Sequence, residues 1–295
     1  MNQVVLALGF GLVTSSIVAL GAVGFTLQFS VSHIFNVAYG AVMTAAAYVA
    51  YFVNVTLGVN IWIGLAAGAV GGALISVVIQ RYIYAPFSRR GSSVFALIMV
   101  SLALSIIIQN ALQAVAGPEP LSYNVPRQHA IHVGDIIWTA NEVVIMAIAV
   151  ASMLVLHGVL HFSRLGKAMR AVADDADLTR NCGIDSRKVS TIAWALSGAL
   201  CGIAGVALAL DTVSFANDIG INFLFIVIAA AVIGGVGEPY GAVVGALIVG
   251  LATELAALVT PDLKDVVAFA LLALMLLVRP NGLRSGGALR TEAAA

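Results

Sequence analysis

The chain has 295 residues, 61% of them hydrophobic and only 9% charged, and its 14 basic residues balance its 14 acidic ones. A mean hydropathy of +1.05 is more than a soluble core of this size needs, so the composition points away from a soluble enzyme and towards a polytopic membrane protein. Zero net charge gives no case for nucleic acid, and Cys182 and Cys201 have neither metal-ligand nor redox spacing.

In chain order, apolar runs separated by polar breaks predict nine membrane helices, near 4–27, 34–55, 59–82, 93–115, 138–161, 189–210, 221–236, 239–259 and 265–279. The first run, Val4 to Leu27, has no basic stretch before it and is longer than a signal-peptide core, so it reads as a retained span. The run after Asn222 is short and ends in GGVGEPYG, which leaves open an eight-span arrangement with one re-entrant segment. Alternating nine spans puts Arg81, Arg89, Arg90, Arg164, Lys167, Arg170, Arg180, Arg187, Lys188, Arg279, Arg284 and Arg290 on one side and leaves Arg127 and Lys264 opposite. Basic residues near span ends are retained in the cytoplasm, so the N-terminus is expected outside and the C-terminus inside. YGAV occurs at Tyr39–Val42 and again at Tyr240–Val243, a weak hint of internal pseudo-symmetry.

The longest polar break, FSRLGKAMRAVADDADLTRNCGIDSRKV from Phe162 to Val189, holds six of the 14 basic and four of the 14 acidic residues. So many charges must meet water, and the orientation places them in the cytoplasm. Met169, Val172, Ala173 and Ala176 fall at helical spacing and predict one apolar stripe on a short helix. Arg170, Asp174, Asp177 and Arg180 form the opposite, charged face, and Gly183 stands where the helix stops. Such a helix either lies on the bilayer or offers its apolar face to a groove on a cytoplasmic protein; its mixed charge favours the protein.

The stretch Ile233 to Gly250 spaces Gly237, Gly241 and Gly245 four apart, which predicts close helix packing on one face. Gly234, Gly235 and Gly237 before Pro239 also allow a break in the membrane, tolerated where it lines a cavity. Asn36, Gln109, Asn110, Thr253 and Glu254 are polar groups inside apolar runs. Glu254 is expected to avoid lipid, serving either a solute pathway or a bridge between helices, because a central charge costs about 2.5 to 3.5 kcal/mol even on lenient scales. The pairs His157/His161 and His129/His132 come without a third ligand at recognisable spacing, so they read as interfacial histidines and no metal is expected. Gly166 and Lys167 resemble the end of a phosphate-binding loop, but His161 occupies the place of its first glycine and Ala168 that of its Ser or Thr. Any ATP and magnesium therefore belong to another chain, and no catalytic residue or cofactor is assigned here.

With these residues in hand, the chain resembles LivH-type permease subunits of branched-chain amino acid ABC importers over nearly its whole length. The resemblance lies in HIFNVAYGAVM, in the polar stretch from Phe162, in AAAVIGGVGEPYGAVVGALIVGLATE, and in KDVVAFALLALMLLVRPNGL. It implies an all-α permease domain spanning residues 1–295, with 162–188 as the cytoplasmic region that seats on the ATPase. The family positions there are matched by Gly166, Arg170, Ala173, Asp175, Gly183 and Ile184; Met169, Val172 and Asp174 join them from the helix pattern. The resemblance also implies a second, LivM-like permease, two ATPase subunits, a periplasmic or extracytoplasmic substrate-binding protein, and an inner-membrane location among lipid. The expected solute path runs past Asn36, Tyr39, Gly40, Gly234, Gly235, Gly237 and Glu254. Where the family usually reads Asn-Phe-Ala-His-Gly-Glu, this chain has Asn36-Val37-Ala38-Tyr39-Gly40-Ala41. A path lined by that segment is less charged, which keeps urea, amides and aromatic or carboxylated compounds open beside leucine, isoleucine and valine. A secondary transporter without an ATPase is the rival class.

Overall fold

The computed structural model describes residues 2–89, 91–125, 130–133, 136–260, 263–279 and 282–283. Arg90, Arg127, His129, Arg284 and Arg290, used above, lie outside them. Helices dominate: α1 (Asn2–Ser32), α2 (Tyr39–Tyr51), α3 (Ile61–Ile79), α4 (Ala85–Arg89), α5 (Val94–Ala116) and α6 (Ala140–Phe162) come first. They are followed by α7 (Arg164–Asp174), α8 (Ala176–Asn181), α9 (Ser186–Asp211), α10 (Ile219–Gly234), α11 (Pro239–Ala257) and α12 (Leu263–Val278). Among the described residues, six helical stretches are long and apolar enough to cross a bilayer: 3–32, 61–88, 94–116, 140–162, 186–211 and 239–257. Each predicted apolar run is occupied by one of these helices or by α2, α10 or α12. With 16 residues, α10 is about 24 Å long, short of a hydrocarbon core of about 30 Å.

Helix ends follow local chemistry. Ser93 accepts the Ala96 N–H at the start of α5, and Thr139 with Glu142 forms a reciprocal capping box on α6. Pro239 occupies the first turn of α11, where no helical N–H is required. Two helices continue into π-helical turns: α2 through Phe52–Thr56 and α3 through Gln80–Tyr84. In the first of these Asn54 donates to Val59 O at 2.9 Å and accepts the Asn124 N–H at 2.8 Å, pinning the loop after α5.

Helix ends sort onto two rims. On one rim, His33 at the end of α1 donates from Nε2 to Ala173 O of α7 at 3.2 Å, and Leu283 N donates to Ile233 O of α10 at 2.9 Å. On the other, β1 (Leu121–Ser122) pairs antiparallel with β4 (Ser214–Phe215), and β2 (Ala130–Val133) pairs with β3 (Ile136–Thr139). There Phe215 packs against the rings of Tyr48 and Tyr123, and the Tyr123 hydroxyl donates to Ala47 O at 3.0 Å. Burial pushes the Tyr123 phenol up, so it remains the hydrogen-bond donor.

The core is built by close backbone approach. In α3 and α9, Gly72 faces the Gly198 carbonyl, and Gly202 faces the Gly68 carbonyl, with no room for a Cβ at either crossing. Lipid offers no hydrophobic reward for helix association, so such van der Waals contact supplies the attraction. Gly234 likewise meets Gly241, and Gly245 meets the Ala230 carbonyl, which clamps α10 against α11. The expected glycine repeat needs one correction: Gly237 lies in the turn before α11, at φ +98°, and only Gly241 and Gly245 share the packed face.

Gly202→Leu is expected to lower stability by about 1–3 kcal/mol by overpacking, read as a lower melting temperature of the detergent-purified protein. Gly158→Ala, where a Cβ meets nothing within 4 Å, should leave that temperature unchanged or slightly raised.

Candidate coupling surface and transport elements

The polar stretch folds as two short helices. A single continuous helix was expected, but Asp175 adopts φ −156° and ψ 106°, ends α7 and caps α8, where its Oδ1 accepts the Asp177 and Leu178 N–H groups at 2.9 and 2.8 Å. A short acidic side chain competes for the backbone in this way at a helix start. Ser163 does the same for α7, accepting the Gly166 N–H at 3.1 Å, and Gly166 packs directly on the Leu160 backbone. Gly183 ends α8 at φ +86°, as its position predicted. Asp185 then caps α9; its carboxyl is held below the usual carboxylate range by the Lys188 and Arg187 backbone N–H groups.

The apolar stripe faces inward, which corrects the expectation that it meets a partner. Met169 and Val172 are 2% and 3% exposed and join the main apolar core, while Ile184 packs at its edge. The reason is tethering: a single residue, Ser163, joins α7 to α6, and the chain's own apolar surface is therefore present at far higher effective concentration than any partner. Ala176 falls on α8 and is exposed. The exposed side carries Lys167, Arg170, Asp174, Asp175 and Asp177, with Arg180 pairing with Asp177 at 3.8 Å and the apolar Leu178 among them. That pair is too solvated to add much stability.

The expected pathway residues are engaged at separate helix contacts. Asn36 is buried and accepts the Tyr84 hydroxyl at 2.7 Å, and the neighbouring Val37 N–H donates to Ser101 Oγ at 3.2 Å. Tyr39 is 1% exposed, its hydroxyl turned to the Gly21 carbonyl at 3.1 Å, its ring edge-on to Phe25. Gly40 lets α2 cross the Gly220 carbonyl at the start of α10. Glu254 Oε1 accepts from Lys264 Nζ at 2.6 Å and from the Thr14 hydroxyl at 2.9 Å, so it bridges α11, α12 and α1. Asn110 and Thr253 instead bond carbonyls of their own helices, at Ile106 and Gly250.

The cavities formed by described residues include two on different faces of the bundle. One, of about 310 Å³ on the rim of β4, is lined by Thr212, Asp218, Asn222 and Asp265 among apolar groups. The other, of about 390 Å³, lies between α1, α6 and α11 against Met153, Leu156, His157, Tyr240 and Val243. There His157 Nδ1 and the Tyr240 hydroxyl share a 2.8 Å hydrogen bond, and the His157 and His161 rings stack. None of the seven expected pathway residues lines either cavity. Lys264, Thr14 and Tyr84 were not singled out as site residues from the sequence. Lys264 had a usable signal, since a lone intramembrane acid calls for a cation within reach of the same helix hairpin.

An all-α bundle of long apolar helices with a charged two-helix platform on one rim is the architecture of a polytopic membrane protein. The chain belongs to the family of permease components of branched-chain amino acid transport systems, whose model matches residues 7–276. It is 32% identical over 288 residues to the high-affinity branched-chain amino acid permease protein LivH of Escherichia coli K12, covering 92% of each chain. It is 31% identical over 293 residues to BraD of Pseudomonas aeruginosa, covering 92% of this chain and 93% of that one. A probable LivH of Methanocaldococcus jannaschii is 28% identical over 257 residues, covering 83% and 78%.

Met169→Asp buries a charge under α7 and is expected to destabilise by about 3 kcal/mol or more, whereas Arg170→Glu on the exposed face should stay within about 0.5 kcal/mol. Thermal unfolding followed by tryptophan fluorescence separates the two.

Proposed function

We propose that the chain is one permease of a heterodimeric pore that carries branched-chain amino acids or closely related small solutes inward. A LivM-like second permease, two cytoplasmic ATPase subunits that bind ATP and magnesium, and an extracytoplasmic substrate-binding protein complete the importer. In this reading residues 1–295 act as one permease domain in the inner membrane. The rim carrying α7 and α8 is cytoplasmic, together with the C-terminus, and the N-terminus is outside. The distribution of basic residues supports that orientation.

The observation that carries the reading is the platform itself. Its apolar side is anchored on the chain's own core, and its charged side is presented to water at the end of a rigid helix. A surface built this way receives force, and the ATPase seats on Arg170, Asp174 and Asp175 with Gly166, Met169, Val172, Ala173, Gly183 and Ile184 holding them in place. The replacement of His and Glu by Tyr39 and Ala41 falls among buried positions, so it gives no reason to depart from the solutes of the relatives. Asn36, Tyr39, Gly40, Gly234, Gly235, Gly237 and Glu254 are assigned to the hinges and seams of the helices bordering the path. They shape it by positioning α1, α2, α10 and α11 and need no contact with solute.

In proteoliposomes holding the complete importer, leucine, isoleucine or valine with the binding protein is expected to stimulate ATP hydrolysis and uptake. Arg170→Glu with Asp174→Arg should cut solute uptake per ATP roughly tenfold with the melting temperature unchanged. Unaltered uptake in that double variant sinks the coupling assignment; transport that proceeds without any ATPase favours a secondary transporter.

A further inference from the structure

The cavity of about 390 Å³ between α1, α6 and α11 has no part in the coupling surface or the expected solute path. Its size falls in the range of about 300–1,000 Å³ that small-molecule pockets occupy. Met153, Leu156 and Leu160 of α6, Val243 of α11 and Val23 of α1 make its walls apolar. Its polar groups, His157 and Tyr240, are joined by their 2.8 Å hydrogen bond. A Tyr240 hydroxyl that donates to Nδ1 puts the His157 ring proton on Nε2, which makes that nitrogen a donor for an oxygen of an occupant.

Depth and charge both bear on what fills the cavity. Long and apolar enough to cross a bilayer, α6 ends at Phe162. From that end to Met153 the helix runs about 14 Å, so the cavity descends from the membrane interface into the hydrocarbon layer. Phe162 is 77% exposed, its ring edge-on to His157 and His161, in the way that aromatic side chains mark an interface. Just past it the chain turns at Ser163, and Gly166 packs on the Leu160 backbone, which holds the first turn of α7 against a wall of the cavity. That turn carries Arg164 and Lys167, both exposed and neither in an ion pair with a described residue. Glu238, which precedes Pro239 at the start of α11, is the acid next in sequence to the lining, and the two cations with His157 and His161 outnumber it. An apolar slot at the interface with a cationic rim complements a phospholipid with an anionic headgroup.

We propose that this cavity is a site for an anionic phospholipid. One acyl chain lies between α6 and α11 against Val23, and the phosphate is held by Arg164 and Lys167 with His157. In that place the lipid ties the corner between α6 and α7 to the start of α11. Neither cation belongs to the ATPase seat on Arg170, Asp174 and Asp175, so the lipid site stands apart from the coupling reading.

The test is native mass spectrometry of the detergent-purified full chain with equal additions of phosphatidylglycerol and phosphatidylcholine, and the melting temperature controls for folding. The wild-type chain is expected to retain the anionic lipid about tenfold better. Arg164→Gln with Lys167→Gln should remove that preference while both lipids are still retained, and Val243→Trp, which fills the slot, should lose both. If Val243→Trp does not fold, Met153→Phe decides in its place. Equal retention of the two lipids by the wild-type chain overturns the proposal, as does an undiminished preference in the double variant or unchanged retention once the slot is filled. Cross-linking of Leu154→Cys, in a Cys182→Ser chain, to a second protein chain in native membranes would mark this face as a protein seam and is equally fatal.

Discussion

Helices in a bilayer gain nothing by hiding apolar side chains from a solvent that is itself apolar, so this fold depends on how closely its backbones can approach. Gly68, Gly72, Gly198 and Gly202 bring α3 and α9 into direct contact, and Gly234, Gly241 and Gly245 do the same for α10 and α11. Around these seams a few buried hydrogen bonds fix the turns, such as Tyr84 to Asn36 and Tyr39 to the Gly21 carbonyl. Each such bond satisfies a group that lipid would leave unpaired. Much of the rest hangs on the seams: α9 is braced along its middle by α3, and α10 and α11 are packed with no space between them at their glycines.

That bracing suits transport. A platform of two capped helices is rooted by Met169 and Val172 in the core and exposes its charged side, with Leu178 of α8 beside it. It is joined to α9 through the Asp185 cap and to α1 through the His33 contact with Ala173, the two routes by which the proposed coupling would reach the bundle. At the far rim α1 is joined to α11 and α12, where Glu254, Lys264 and Thr14 tie three helices at one point. Ion pairs in such places are poor sources of net stability, because desolvation offsets most of the attraction.

The bundle of membrane helices, the position of each run and the charged platform were all legible in the sequence, because they follow from short-range rules. A run of apolar residues states its own length, Ser163, Asp175 and Asp185 cap the helices that begin beside them, and Gly183 permits the turn that ends α8. The packing of Gly241 and Gly245 on a neighbour was also readable from their spacing, although Gly237 was wrongly included, since Pro239 restarts the helix after it.

Tertiary structure alone decided which surfaces those elements meet. The stripe Met169, Val172 marked an apolar face, yet periodicity says only that a face is covered and never by what; the short tether to α6 turned it onto the chain itself. Glu254 carried the same ambiguity between pathway and bridge, and Lys264, across the turn before α12, resolved it. Asn36 and Tyr39 read as polar groups facing a path until their hydroxyl and amide partners on distant helices were in view. Composition and local pattern determine where helices form and which side of each must be hidden. Which helix hides it is set by contacts between residues far apart in sequence, and no local pattern encodes those.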